Sequence, residues 1–152
     1  MSKTQVRGDY ATFNATATEA VEGLRLLGQA AAKAGIEKDL LELVKLRASQ
    51  INGCAFCLQL HLTIARKLGV AQVKLDLLAV WRDAGVYSAR EQAALAWTEA
   101  LTLITGHEVD DALFARTQDA FPGDELQHLT TAVAAINAWN RIAGALQFAP
   151  PL

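Results

Sequence analysis

Between Met1 and Phe121 the chain contains no proline, and its three prolines stand at positions 122, 150 and 151. A backbone with so little to interrupt it, rich in Ala and Leu and with few period-two runs of Val, Ile or Thr, reads as helix throughout. Glycines and the apolar spacing divide it into about seven segments. The first runs from about Tyr10 to Lys33 and closes at Gly35; the second spans Glu37 to Ile51 and stops at Asn52-Gly53, a pair suited to a left-handed turn. A third begins at Gly53 or Cys54 and reaches Leu68, and a fourth covers Ala71 to Asp83. Ser88 with Glu91 forms a capping-box pattern that opens a fifth, extending to about Ile104. Asp110 to Ala120 makes the sixth, and Asp124 is placed to cap a last helix carrying Leu126, Leu129, Val133, Ile136, Trp139 and Ile142. Linkers of a few residues predict an all-α, compact bundle of six to seven helices forming a single domain over residues 1–152.

A chain of 152 residues buries enough surface to hold a core without disulfide staples. Fourteen basic residues face sixteen acidic ones, a net charge of -2 with no long block of one sign. That leaves no electrostatic footprint for nucleic acid or an anionic membrane. The start, Met1 to Arg7, lacks the apolar stretch of a signal peptide, and no run approaches the ~18 apolar residues of a membrane helix. The expectation is a cytoplasmic protein. In a reducing cytosol a close pair such as Cys54 and Cys57 points to redox or metal chemistry rather than to a permanent staple.

The segment Cys54-Ala-Phe-Cys57-Leu-Gln-Leu-His61 opens the third helix. At about 100° per residue its three functional side chains fall at roughly 0°, 300° and 340°, on one face. Cys54 occupies the first turn, where free amides and the helix dipole favour a thiolate. His61 stands four residues beyond Cys57, within reach of a proton exchange, and two thiols one turn apart can close into a disulfide once one is oxidised. Three readings compete. Redox chemistry is favoured; a zinc site on Cys54, Cys57 and His61 lacks a fourth ligand and a second cysteine pair; and the three could be plain core residues.

The stretch from Glu42 through Lys45, Arg47, Ser49, Asn52 and Gly53 to Cys54, Cys57 and His61 resembles the active-site segment of alkylhydroperoxidase D (AhpD)-like proteins of the carboxymuconolactone decarboxylase family. The segments Ala93–Thr102 and Ala135–Arg141 are similar to the family's smaller single-domain members, so the resemblance extends from about Tyr10 to Phe148. It implies an all-helical fold in which Cys54 and Cys57 reduce peroxides while Glu42 and His61 relay protons. One departure stands out: AhpD has a histidine immediately before the second cysteine, where this chain has Phe56, so an auxiliary proton carrier is missing. Decarboxylases of the wider family lack the cysteine pair, which argues against lactone decarboxylation here.

By periodicity alone Glu42 shares a polar face with Lys45 and Ser49, opposite Leu40, Leu41, Leu43, Val44 and Ile51, and reads as a solvated carboxylate. Under the resemblance that face lines a small wet cleft, and a buried Glu42 with a raised pKa acts as base. His107 and His128 read as surface residues, and Trp81, Trp97 and Trp139 as core or interface fillers. Asn137, Asn140 and Arg141, on an otherwise apolar helix, point to hydrogen bonds across a subunit contact; the resemblance adds that homo-oligomers, trimers or hexamers, are common.

The expected activity is thiol-dependent hydroperoxide reduction, with no metal, haem or flavin required and with a dithiol reductant, a lipoyl-bearing protein or a thioredoxin-like donor implied by the resemblance. The alternative is a redox sensor or helical interaction protein switched by a Cys54–Cys57 disulfide. Because His61 lies one turn from Cys57 and two from Cys54, Cys57 is expected to attack. An exposed Cys54 would then resolve the intermediate and receive electrons.

Overall fold

A computed structural model describes residues 7–152; residues 1–6, which include most of the N-terminal stretch read above for a targeting signal, lie outside the described residues. Among the described residues there are nine α-helices, one short 3-10 turn and no strand. The expected all-α bundle is the observed architecture.

The first expected helix is two. Asp9 caps α1 (Tyr10–Thr16) by accepting the Thr12 amide at 2.8 Å, and Ala17 then leaves the helical region before α2 (Thr18–Lys33) begins. None of α1's residues is buried, so it is held from one side, through Tyr10 and Phe13. Helix α3 (Lys38–Asn52) lies at the centre, packed by α4 (Ala55–Lys67), α7 (Ala89–Thr102) and α9 (Glu125–Leu146), while α2 lies along α9. This surrounds α3, so its polar face is covered as well as its apolar one: Glu42 and Ser49 are buried beside Leu43 and Val44.

The expected helix over Ala71–Asp83 breaks into α5 (Gln72–Asp76), the 3-10 turn Leu78–Val80 and α6 (Trp81–Ala84). Leu75, Leu78 and Trp81, spaced by three, all enter one core cluster with Leu43, Leu46 and Leu95. A repeat of three is the period of a 3-10 helix rather than of an α-helix, so continuous α geometry would have swung one of the three away from that core. Ser88 and Glu91 do form the capping box of α7, which ends at Thr102, two residues short of the expected Ile104. Asp110 caps α8 (Asp111–Ala120). Asp124, by contrast, makes no side-chain cap to α9; its carboxylate sits 3.4 Å from His128 instead. Buried alanines 132, 135 and 143 of α9 let α2, α3 and α4 approach closely, and that convergence creates the site.

Candidate active site

The turn between α3 and α4 is built by Gly53, whose φ of 66° and ψ of 32° are left-handed and therefore suit glycine. It returns the chain so that the Cys54 amide donates to the Ser49 carbonyl at 3.0 Å. Cys54 becomes the N-cap of α4, its Sγ accepting the Cys57 amide at 3.2 Å. Cys54 and Cys57, with Cα atoms 5.4 Å apart, are joined as a disulfide. The sequence reading placed Cys54 in the open, but only 3% of it is exposed, the same as Cys57. Its N-cap position tucks the sulfur over the first turn, in a cluster with Ala48, Ile136 and Phe148.

Glu42 reaches across from α3. Its Oε2 lies 2.7 Å from His61 Nδ1 and its Oε1 accepts from Lys45 Nζ, also at 2.7 Å, while 3% of the residue is exposed. Periodicity had read this carboxylate as solvated, and the packing of α4 against α3 removes it from water. Burial pushes its pKa up, but the hydrogen bond and charge of His61 and the ammonium of Lys45 outweigh that and hold it below the ordinary 4.5. The raised pKa expected for a buried base is therefore corrected: Glu42 is an ionised anchor. An ionised carboxylate only accepts, so the proton between the two side chains belongs to His61 Nδ1. Nε2 makes no hydrogen bond to the protein among the described residues.

A cavity of about 370 Å³ opens over this face, and both Cys57 and His61 line it, together with Lys45, Phe56 and Trp139. Cys54 does not line it. Phe56, at the position where AhpD carries histidine, packs its ring 5.3 Å from Tyr10 and 5.5 Å from Phe148, part of an aromatic group that walls the cavity. Among the described residues no group of three or more His, Cys, Asp or Glu side chains is placed to hold a metal ion.

The other sequence candidates lie elsewhere. His107 is exposed in the α7–α8 loop, and His128 is half-buried beside Asp124. Trp81 donates to Glu99 at 2.9 Å and Trp97 to Thr130 at 3.1 Å, both as core residues. The polar residues of α9 are used within the chain: Asn140 donates to Ser49 at 3.0 Å, Asn52 donates to Asn137 and Asn140, and Arg141 donates to Asn137. They tie α9 to the end of α3, so they no longer call for a subunit contact. Sequence reasoning gave Lys45 only as a member of the polar face lining the cleft and did not assign Arg25 or Tyr10 to the site. The i,i+3 spacing of Glu42 and Lys45 was a visible signal for the first, whereas the other two enter only because α1 and α2 fold over α4.

The family model described as the carboxymuconolactone decarboxylase family matches residues 18–100, over half of the chain. The chain belongs to this family. The uncharacterized protein YdfG of Bacillus subtilis (strain 168) is 37% identical over 114 residues, covering 75% of this chain and 78% of that one. The uncharacterized protein YnjA of Escherichia coli (strain K12) is 32% identical over 105 residues, 68% of this chain and 57% of its own length. Among solved structures, one from Agrobacterium tumefaciens is described as a protein of unknown function and a candidate antioxidant defence protein AhpD. It matches with a TM-score of 0.88 at 36% identity, covering 97% of this chain and 99% of that one. The uncharacterized peroxidase-related protein of Ralstonia eutropha JMP134, described as an alkylhydroperoxidase AhpD core, matches at a TM-score of 0.77 and 22% identity over 92% and 74% of the two chains; it shares the fold. The carboxymuconolactone decarboxylase family thus includes this chain in an AhpD-like form, and the antioxidant descriptions belong to those relatives.

Proposed function

We propose that this family member is a thiol-dependent hydroperoxide reductase working through Cys57, Cys54, His61 and Glu42. The observation that carries the reading is the juxtaposition in one cavity wall of Cys57 and a His61 whose far nitrogen is locked to a buried, ionised Glu42. In the reduced protein His61 Nε2 takes the proton of the Cys57 thiol, and the thiolate attacks the terminal oxygen of ROOH. The O–O bond breaks, Cys57 becomes a sulfenic acid, and the departing alkoxide takes the proton back from His61 to leave as ROH. The Cys54 thiol then displaces water from that sulfenic acid, forming the disulfide. An outside dithiol restores both thiols as it becomes a disulfide itself. The described form corresponds to the oxidised end of this cycle.

Steady-state consumption of an organic hydroperoxide with dihydrolipoamide, and separately with thioredoxin, tests the proposal. Sustained turnover with either supports it. A single oxidation equivalent followed by a stall with both would replace it with the sensor reading. A homo-oligomer, a trimer or hexamer, is proposed on the family resemblance together with the exposed Leu26, Leu103, Ile104 and Phe114. Light scattering that gave a monomer at micromolar concentration would remove it.

A further inference from the structure

The walls of the cavity are divided by chemistry. Val21, Leu24, Leu60, Ile64, Ile136 and Trp139 make most of the surface apolar. The charged side chains on it are all basic, Arg25 and Lys45, with His61 beside them and no Asp or Glu among the lining residues. Each cation has a counter-charge set outside the lining. Arg25 Nη1 donates to Glu22 at 3.0 Å, and Lys45 donates to Glu42 at 2.7 Å, so each basic residue of the lining is paired with a carboxylate from a residue outside it. Neither cation is saturated: a guanidinium has five N–H donors and an ammonium three, and each has one engaged by these bonds. The Arg25–Glu22 pair is open to water, at 50% and 57% side-chain exposure, and a pair of that kind holds its partners weakly. Lys45, in contrast, is tied to the Glu42–His61 pair.

We infer that this cavity is a site for an amphipathic carboxylate, its apolar body against the α2, α4 and α9 walls and its carboxylate at the Arg25 guanidinium. Gln29, one turn further along α2 and also lining the cavity, offers an amide donor to the same group. A guanidinium suits this role because its planar fork matches a carboxylate with two parallel hydrogen bonds. A cavity of about 370 Å³ falls in the range of sites that hold small organic ligands, the class to which a medium-chain fatty acid belongs. Resting on the peroxide-reducing reading, the substrate would be a hydroperoxide with a carboxylate at its far end, the peroxide at Cys57 and His61.

Binding to the oxidised protein separates this inference from turnover. Octanoate and 1-octanol, equal in chain length and different in charge, are titrated against the disulfide form by calorimetry and by tryptophan fluorescence, Trp139 being the one of the three tryptophans that lines the cavity. At low salt octanoate is expected to bind about fivefold more tightly than 1-octanol, the upper range for an exposed ion pair, and the preference should shrink as salt is added. Arg25→Gln should abolish the preference. Equal affinity for the two probes, or a preference that survives Arg25→Gln, overturns the inference. Peroxide turnover on neutral alkyl hydroperoxides without any octanoate preference would refute this site alone. An octanoate preference that depends on Arg25, in a protein that never turns over hydroperoxide, would uphold the site and reject the peroxide reading.

Discussion

Glu42→Gln isolates the charge at the centre of the site, because glutamine keeps the volume and one acceptor but removes the carboxylate. In the native protein both carboxylate oxygens are engaged at 2.7 Å, one by Lys45 and one by His61, in a residue 3% exposed. Removing one member of a fully buried pair costs about 3–5 kcal/mol. The Lys45 side chain remains 21% exposed, so its ammonium recovers part of its hydration, and the expected loss falls to about 1–3 kcal/mol at pH 7. The pH dependence fixes the sign. The folded pKa of Glu42 lies below its ordinary 4.5, so the unfolded chain takes up the proton first as pH falls. The carboxylate's contribution is therefore complete above about pH 5.5 and is lost as pH falls from 4.5 through the folded value. Urea unfolding from pH 7 to pH 3.5 should show the difference between native and Gln protein narrowing over the acid limb. At pH 7 sulfenic acid formation at Cys57 should slow about 10²-fold, since His61 loses the partner that fixes its tautomer. A stability difference that is absent at pH 7, or that persists undiminished to pH 3.5, would refute an ionised Glu42.

Cys54→Ser should still form a sulfenic acid at Cys57 on one equivalent of peroxide, while Cys57→Ser should form one at Cys54 far more slowly; dimedone trapping with mass spectrometry reads both, and preferential labelling of Cys54 reverses the roles. Asn140→Ala removes the bonds to Ser49 and Asn52 from a residue 3% exposed and should cost about 1–3 kcal/mol in urea unfolding, so an unchanged midpoint would refute the α3–α9 tie. Tyr10→Ala removes ring contacts to Phe56, Trp139 and Phe148 worth about 0.5–1.5 kcal/mol each. Because α1 buries no residue of its own, its amides should exchange hydrogen faster while those of α9 keep their protection, and equal exchange in α1 would show that it is held by something else.

The helical class and most boundaries were legible in the chain because they depend on local chemistry: missing prolines, the Ser88–Glu91 box, and glycines at 35, 53 and 69 that take left-handed turns. The nearness of Cys57 and His61 was legible for the same reason, since residues four apart on a helix are neighbours whatever surrounds them, whereas Cys54, the N-cap of α4, stands outside the cavity those two line. Glu42 was legible only through the family resemblance, because periodicity reports which side of a helix is apolar and says nothing about how many sides are covered. Helix α3 is packed by α4, α7 and α9, and that enclosure turned an apparently solvated carboxylate into a buried partner of a histidine 19 residues away. The same limit applies to Asn140, which read as a subunit contact until Ser49, 91 residues earlier in the chain, was found at 3.0 Å. The split of Ala71–Asp83 and the convergence of Arg25, Tyr10 and Trp139 on one cavity were likewise decided by neighbours distant in sequence. Sequence alone determined the helices and the thiol pair, which need only the chain's own periodicity; tertiary structure decided the charge state of Glu42 and the shape of the cavity, because solvation and contact are set by which surfaces the packed helices take from water.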